Sequence, residues 1–297
     1  MAFTKDRRKG ILMVIAGAAM WGGSGVAGQY VLQDCSFSTE WLVVTRMLFS
    51  GIIMLLVDKL SHSDGIMVIW RSREDVRDLL IFSTFGMLMV QYTYFAAVKA
   101  GNAAAATVLQ YLMPVIIILY TAVKARRLPQ MIEIVCVVLA VTGTFILVTH
   151  GSLETLSIPL DALIWGLLSA VAAAIYTMTP KRLIRKWRAT LVVGWGMLIG
   201  GLVLSPICPP WEFSGDWQIY SALNYAYIII FGSVVAFGCY LGSTKYIEPT
   251  ETSILGSFEP LTAIIFSVAF LGVSFSLLDI LGMLIIISTV FLLAKRK

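Results

Sequence analysis

A carboxylic acid lies inside one of the apolar stretches of this sequence. Glu259 is about nine residues into the apolar segment 250–271, and Pro260 follows it directly. A charge at the centre of a membrane-spanning helix costs roughly 2.5–3.5 kcal/mol, so it needs a partner or a hydrated cavity. At helical spacing Thr252 and Gly256 share its face, and the proline, which lacks an amide hydrogen, frees a carbonyl one turn earlier. Two roles remain open for Glu259. It lines a cavity, where it binds a cationic or amino group or exchanges a proton, or it hydrogen-bonds to neighbouring helices for structure alone.

Aromatic and amide side chains on other apolar segments could complete a site around this acid. Gln91 and Tyr94 are three residues apart and can face the same side of one helix, as can Phe237 and Tyr240 of another. Such groups hold small organic solutes in many proteins. The alternative for any single tyrosine is a hydroxyl bonded between two helices. The residues predicted to bind a substrate are Trp21, Gln91, Tyr94, Gln110, Tyr176, Tyr240 and Glu259.

Charges near the ends of the apolar segments are expected to have structural roles. Arg46 lies about five residues from the outer end of segment 41–57, so we expect it to extend to the membrane interface. The same reasoning assigns helix-terminal roles to two basic and two acidic residues, which are Lys99, Lys245, Glu133 and Asp279. The small-residue pairs Gly196–Gly200 and Gly238–Gly242 are predicted to allow close helix approach.

The other reactive side chains of the sequence form no recognisable site. His62 and His150 both fall in connecting segments, and the four cysteines lack metal-ligand spacing. Free thiols are expected, with a Cys35–Cys208 disulfide on the outer side as the alternative. No P-loop is present, so direct ATP drive is not expected. We predict no metal and no cofactor.

The composition requires a bilayer around most of the chain. Of 297 residues, 59% are hydrophobic and 13% are charged, against about 25% charged in soluble domains. The net charge of +5 could suggest a nucleic-acid partner, but the basic residues form short clusters between apolar runs. That arrangement is typical of a membrane–water interface, so no nucleic-acid partner is predicted.

Ten segments of the sequence are long and apolar enough to be membrane helices, each of which needs about 20 residues. They are 10–30, 41–57, 79–98, 102–123, 131–149, 160–179, 191–207, 222–244, 250–271 and 277–294. With the N-terminus inside, all 22 Lys and Arg residues except Lys99 and Arg46 lie on the inner side. This distribution satisfies the positive-inside rule. It predicts a multi-pass protein of the cell (plasma or inner) membrane with both termini in the cytoplasm.

The two halves of the sequence resemble each other at a fixed offset. A shift of 146 residues pairs Tyr94 with Tyr240, Lys99 with Lys245, Pro114 with Pro260 and Glu133 with Asp279. Each half holds five segments, so the second half must enter the membrane from the opposite side. The predicted fold is an all-α membrane protein of ten transmembrane helices in two inverted five-helix repeats, residues 1–150 and 151–297. A binding site is expected between them.

Short motifs along the whole chain resemble the EamA branch of the drug/metabolite transporter superfamily. They are Trp21-Gly22-Gly23-Ser24, Arg46, Ala103–Ala106, Pro114 and Phe258-Glu259-Pro260. The resemblance implies a central cavity lined by helices one, three, four, six, eight and nine. It also implies substrates that range over amino acids, nucleosides, sugars, amines and drugs. The glutamate that such proteins often carry after helices four and nine is missing here, where the sequence reads Arg126-Arg127 and Leu271-Gly272-Val273.

The sequence therefore predicts a secondary active transporter that moves a small polar or amphipathic metabolite, such as an amino acid or amine, by alternating access. Its predicted partners are the solute and the lipid bilayer, with a proton as a candidate coupling ion, and it is expected as a monomer or homodimer. Related four-helix exporters rely on a glutamate in helix one, but residues 10–30 contain no acid, so that proton-exchange mechanism is not expected. The alternative is a membrane-embedded enzyme or a receptor without transport activity.

Overall fold

A computed structural model describes residues 5–150, 157–213 and 215–294, and within these ranges the regular elements are all helical. The predicted boundary between the halves adjoins residues 151–156, which lie outside the described residues. In chain order the helices are α1 (Asp6–Asp34), α2 (Thr39–Ser61), α3 (Arg73–Ala100), α4 (Ala103–Lys124), α5 (Met131–Thr149), α6 (Leu160–Lys186), α7 (Ala189–Leu204), α8 (Ile219–Ser243), α9 (Pro249–Gly256 and Phe258–Leu271) and α10 (Leu277–Ala294).

All ten predicted segments are helical. By length and hydropathy, α1 to α6 and α8 can cross a membrane, while α7, α10 and the second segment of α9 are apolar but shorter. The long apolar runs fold as helices because a bilayer offers no hydrogen-bond partner to an exposed backbone. The shortest predicted segment, 41–57, belongs to the 23-residue α2.

Polar side chains bond to the backbone at several helix ends. The sequence predicted such roles for Glu133 and Asp279. Glu133 caps α5: its carboxylate accepts from the Gln130 amide at 2.6 Å and from two nitrogens of Arg127 at 2.7 and 2.8 Å. Asp279 accepts from the Ser276 amide at 2.8 Å where α10 begins. Lys99 lies in the last turn of α3, as predicted, and its ammonium donates to the carbonyl of Phe37 at 3.2 Å.

The four cysteines are free thiols, so the disulfide considered between Cys35 and Cys208 is not formed.

The main helix contacts join the first part of the chain to the second. Helix α1 contacts α8 and α9, and α6 contacts α3 and α4. Helix α2 lies along α7, and α5 lies along α10.

The pair α2–α7 is connected at both ends. At one end Arg188, just before α7, donates from Nε and Nη2 to the Asp58 carboxylate at 3.1 and 2.8 Å. At the other end Trp41 donates from its indole to the Pro210 carbonyl at 2.9 Å, and its ring lies 4.7 Å from that of Phe213. An ionic contact therefore holds one end of the pair and an aromatic cluster holds the other.

Close helix approach depends on particular glycines. A Cβ at Gly51 of α2 would lie 2.6 Å from the amide nitrogen of Leu198 in α7, and a Cβ at Gly196 would lie 2.6 Å from the Phe82 ring. A Cβ at Gly238 would have no atom of the described residues within 4 Å. The prediction of close packing is confirmed at Gly196 and wrong at Gly238.

This difference gives a stability prediction with a matched control. Gly51→Ala is expected to destabilise the fold by about 1–3 kcal/mol, because the obstructing atom is backbone and cannot rotate away. Gly238→Ala makes the same helix-interior change in open space and is expected to be neutral or slightly stabilising. Thermal unfolding of the purified variants in detergent measures both. Equal melting temperatures would contradict the close contact between α2 and α7.

Candidate functional site

Two helices are interrupted near the middle of the molecule. Helix α4 is regular from Ala103 to Gln110 and resumes at Met113, with Pro114 in the first turn of its second segment. Helix α9 is interrupted at Ser257, and Pro260 lies in the first turn that follows. Proline removes a backbone donor, so the carbonyl four residues earlier needs another partner.

Tyr111, at the interruption of α4, supplies the hydrogen-bond donor that the freed carbonyl of α9 needs. The Tyr111 hydroxyl donates to the Gly256 carbonyl at 2.8 Å, which is the carbonyl freed by Pro260. The same hydroxyl lies 3.1 Å from Oε2 of Glu259. One proton thus serves two acceptors, and among the described residues Tyr111 is the one donor to this carboxylate. Glu259 keeps most of its acceptor capacity for a ligand.

Arg46 is buried beside the same space. Its side chain is 4% exposed, and it donates from Nε to the Ser233 hydroxyl at 2.9 Å and from Nη2 to the Gly232 carbonyl at 3.0 Å. Both partners belong to a π-helical segment of α8, Ile230–Val235. The expectation that Arg46 extends to the interface is therefore wrong. The wide turn in α8 offers acceptors inside the protein, so the guanidinium need not reach water.

These groups line one central cavity of about 260 Å³. Its wall contains all seven residues predicted to bind a substrate, on α1, α3, α4, α6, α8 and α9 as the resemblance implied. Helices α2 and α10 add Arg46 and Val290. Further lining residues are Ser24, Met87, Val90, Tyr111, Met113, Pro114, Ala173, Thr177, Phe237, Leu241 and Gly256.

Six of the residues that line the cavity are aromatic. The Trp21 ring lies 5.0 Å from both Phe237 and Tyr240, and Tyr176 packs 5.5 Å from the buried Phe82. Aromatic faces of this kind contact the apolar part of a solute.

Two of the predicted polar groups already have protein partners. The Tyr94 hydroxyl shares a 2.9 Å hydrogen bond with Thr107, and the Gln110 amide donates to the Ser169 hydroxyl at 2.7 Å. For Tyr94 the structure therefore shows a hydroxyl bonded between helices α3 and α4, while its ring still lines the cavity.

Two glutamines of α1 bond to the connection between α3 and α4. The Gln29 carbonyl oxygen accepts from the Ala103 amide at 2.9 Å, where α4 begins. One helical turn on, the Gln33 amide lies within 3.0 Å of the carbonyls of Val98, Lys99 and Gly101. These bonds hold the end of α1 against the α3–α4 connection.

Tyr111 was missing from the sequence prediction. On a regular helix it would point about 100° away from Gln110, and its importance appears only when α4 is broken and α9 lies opposite. Pro114 was the available signal, because a proline in an apolar helix marks a local break whose neighbours can turn inward.

A model of the EamA-like transporter family matches residues 8–149 of this chain and matches it again at residues 160–295. The chain belongs to that family. Membership confirms the resemblance to the drug/metabolite transporter superfamily, and it identifies a multi-pass membrane transporter rather than an enzyme.

Relatives of this EamA-like transporter match over nearly its whole length. The uncharacterized inner membrane transporter YicL of Salmonella typhimurium is 40% identical over 290 residues, which cover 97% of this chain and 95% of that protein. Protein PecM of Dickeya dadantii is 27% identical over 261 residues, or 85% and 84% of the two chains. A solved crystal structure covers 96% of both chains with a TM-score of 0.62 at 15% sequence identity, a likeness of fold alone.

Proposed function

We propose that this EamA-like transporter carries a small polar or amphipathic metabolite across the cell membrane by alternating access between two inverted halves, residues 1–150 and 151–297. The observation that carries the proposal is the central cavity, where Glu259 lies between the interruptions of α4 and α9. Half-helices that meet at the midplane around a solute site are characteristic of secondary transporters.

Several features support ten spanning helices in two inverted repeats. Pro114 and Pro260, which follow the two interruptions, are the residues that the 146-residue shift superposes. The π-helical segments Phe82–Leu88 of α3 and Ile230–Val235 of α8 lie at nearly the same offset. The contacts of α1 with α8 and α9 mirror those of α6 with α3 and α4, and the family model matches each half once. The 16-residue α7 would be about 24 Å long, which local bilayer thinning can accommodate.

The charge distribution supports an orientation with both termini in the cytoplasm. The connections that carry most of the Lys and Arg residues would then lie inside. The α3–α4 connection, to which Gln29 and Gln33 bond, would lie outside. Tags on the two termini should be accessible only after the membrane is permeabilised; access to either tag in intact cells would contradict this orientation.

The residues that line the cavity favour a solute that carries an amino group and an apolar part. Glu259 would bind the amino group, since most of its acceptor positions face the cavity. Trp21, Tyr176 and Tyr240 would contact the apolar part, and Gln91, Tyr94 and Gln110 would complete the wall. Glu259 is also the group that would exchange a proton if transport is coupled to one. A pH-sensitive dye inside liposomes would report that coupling.

Transport is tested by exchange in liposomes. Liposomes that contain the purified protein are loaded with an unlabelled solute, and uptake of the same radiolabelled solute is measured. The uptake rate should saturate with solute concentration for at least one member of a panel of amino acids, amines, nucleosides and sugars. A thermal-shift screen selects the panel members to label, because a ligand of the folded state raises its stability. Liposomes without protein are the control. No exchange with any solute of the panel would overturn the proposed function.

A further inference from the structure

The guanidinium of Arg46 is held in place by neutral hydrogen-bond acceptors. Its Nε and Nη2 are fixed on α8 at Ser233 and Gly232, and the guanidinium carbon lies 5.0 Å from the centre of the Phe95 ring. Nη1 has no protein acceptor among the described residues. An arginine has five N–H donors, so this side chain still offers hydrogen bonds where it lines the cavity. Both Arg46 and Glu259 are described, and no ion pair joins them.

A second donor without a partner lies beside it. Ser24 is 2% exposed, it lines the cavity, and its hydroxyl has no hydrogen-bond partner among the described residues. Its side chain packs directly against Gly232, the residue whose carbonyl receives Arg46. The absence of a side chain at Gly232 is what allows this approach. A buried hydroxyl without a partner is rare in a native structure, so its position on the cavity wall points to a ligand.

We propose that Arg46 and Ser24 form a carboxylate-binding subsite within the transport cavity. The inference rests on the proposed function and deepens it. A guanidinium and a hydroxyl together match the acceptors of a carboxylate, and hydrogen bonds between charged partners are the strong ones.

The charges of the cavity select a zwitterion over other anions. One arginine supplies a single positive charge, and Glu259 lies in the same cavity, so a phosphate dianion would be under-neutralised and repelled. A simple amine would leave Arg46 without its anion, and a simple carboxylic acid would leave Glu259 without its cation. A solute with one ammonium, one carboxylate and an apolar part satisfies both charged groups and the aromatic side chains of the wall.

Matched ligand sets test the subsite by calorimetry on the purified full-length protein. One set is L-leucine, isoamylamine and 4-methylpentanoate, and the other is L-phenylalanine, phenethylamine and 3-phenylpropionate. In at least one set the amino acid should bind about tenfold or more tightly than its amine and its acid, because a site built for a polar group discriminates against analogues that lack it. Equal binding within both sets, or no binding by either amino acid, would overturn the subsite.

Two variants test whether the preference for the amino acid depends on Ser24 and Arg46. Ser24→Ala should weaken amino-acid binding about tenfold and change amine binding less than about twofold. Its matched control is Ser267→Ala, which removes a hydroxyl that is equally buried and unpaired but is not part of the cavity wall. Arg46→Gln should abolish the preference for the amino acid over the amine. If Arg46→Gln does not fold, Ser24→Ala decides the question alone.

The outcomes separate the two proposals. Exchange of some other solute in liposomes, with no preference for either amino acid, overturns the subsite and leaves the carrier function standing. An effect of Ser24→Ala no larger than that of Ser267→Ala also overturns the subsite.

Discussion

Glu259→Gln is expected to lower the rate of solute exchange by about 100-fold while the melting temperature stays nearly unchanged. Removing one partner of a buried charged pair costs about 2–5 kcal/mol of binding, and each 1.4 kcal/mol is a factor of ten. The fold should tolerate the change, because the glutamine carbonyl can still accept from Tyr111, whose hydroxyl also keeps its bond to the Gly256 carbonyl. Exchange in liposomes and thermal unfolding measure the two effects separately.

The matched control for this experiment is Glu248→Gln. Glu248 is an exposed acid immediately before α9, so its replacement removes the same charge without altering the cavity. Exchange by this variant should stay within about twofold of the unmodified protein, as for surface substitutions generally. Intact exchange by Glu259→Gln would show that the acid is structural, which is the other role that its sequence position allows.

The largest effect on stability is expected from Arg188→Ala, at about 3 kcal/mol or more. The Asp58 side chain is fully buried, and Arg188 is 22% exposed. Asp58 also accepts from the Thr190 hydroxyl at 2.7 Å. Removing the arginine leaves a buried carboxylate without its cation, and breaking a buried pair in this way costs about 3–5 kcal/mol. Because the pair joins α2 to the start of α7, unfolding should begin at this end of the helix pair.

Arg185→Ala is the control, since Arg185 is an exposed arginine in the last turn of α6, close in sequence to Arg188. It should shift the melting temperature by little, as surface changes do. The double variant Arg188→Ala with Asp58→Asn should recover part of the lost stability, because no uncompensated charge is then buried. A melting temperature for Arg188→Ala equal to that of Arg185→Ala would contradict the pairing.

Much of the helical architecture follows from hydropathy alone. Met131–Thr149 has the predicted ends because charges and polar residues bound a continuous apolar run. Helix α9 shows the limit of that reasoning, since 250–271 reads as one apolar stretch but is interrupted at Ser257. The break depends on the local effect of Pro260 and on the Tyr111 hydroxyl from another helix. A hydropathy profile averages over neighbouring residues and contains no information about such contacts.

Part of the cavity could also be predicted from the sequence. The positions of Trp21 and Glu259 could be anticipated, because polar or amphipathic groups in apolar helices must face a cavity or another helix. The prediction that Arg46 extends to the interface was wrong. Its distance from the end of α2 suggested access to water, and the sequence around it contains no sign of the acceptors on α8. Ser24 was seen as part of a motif, but its missing partner can be recognised only in three dimensions.

The shared proton of Tyr111 gives the empty carrier a simple consequence. While the cavity holds no solute, one hydroxyl is divided between the Gly256 carbonyl and the Glu259 carboxylate. An ammonium that occupies the carboxylate would leave the hydroxyl wholly to the carbonyl and so tighten the link between the broken midpoints of α4 and α9. A bound solute would then stiffen the contact between these two helices, and its departure would loosen that contact again.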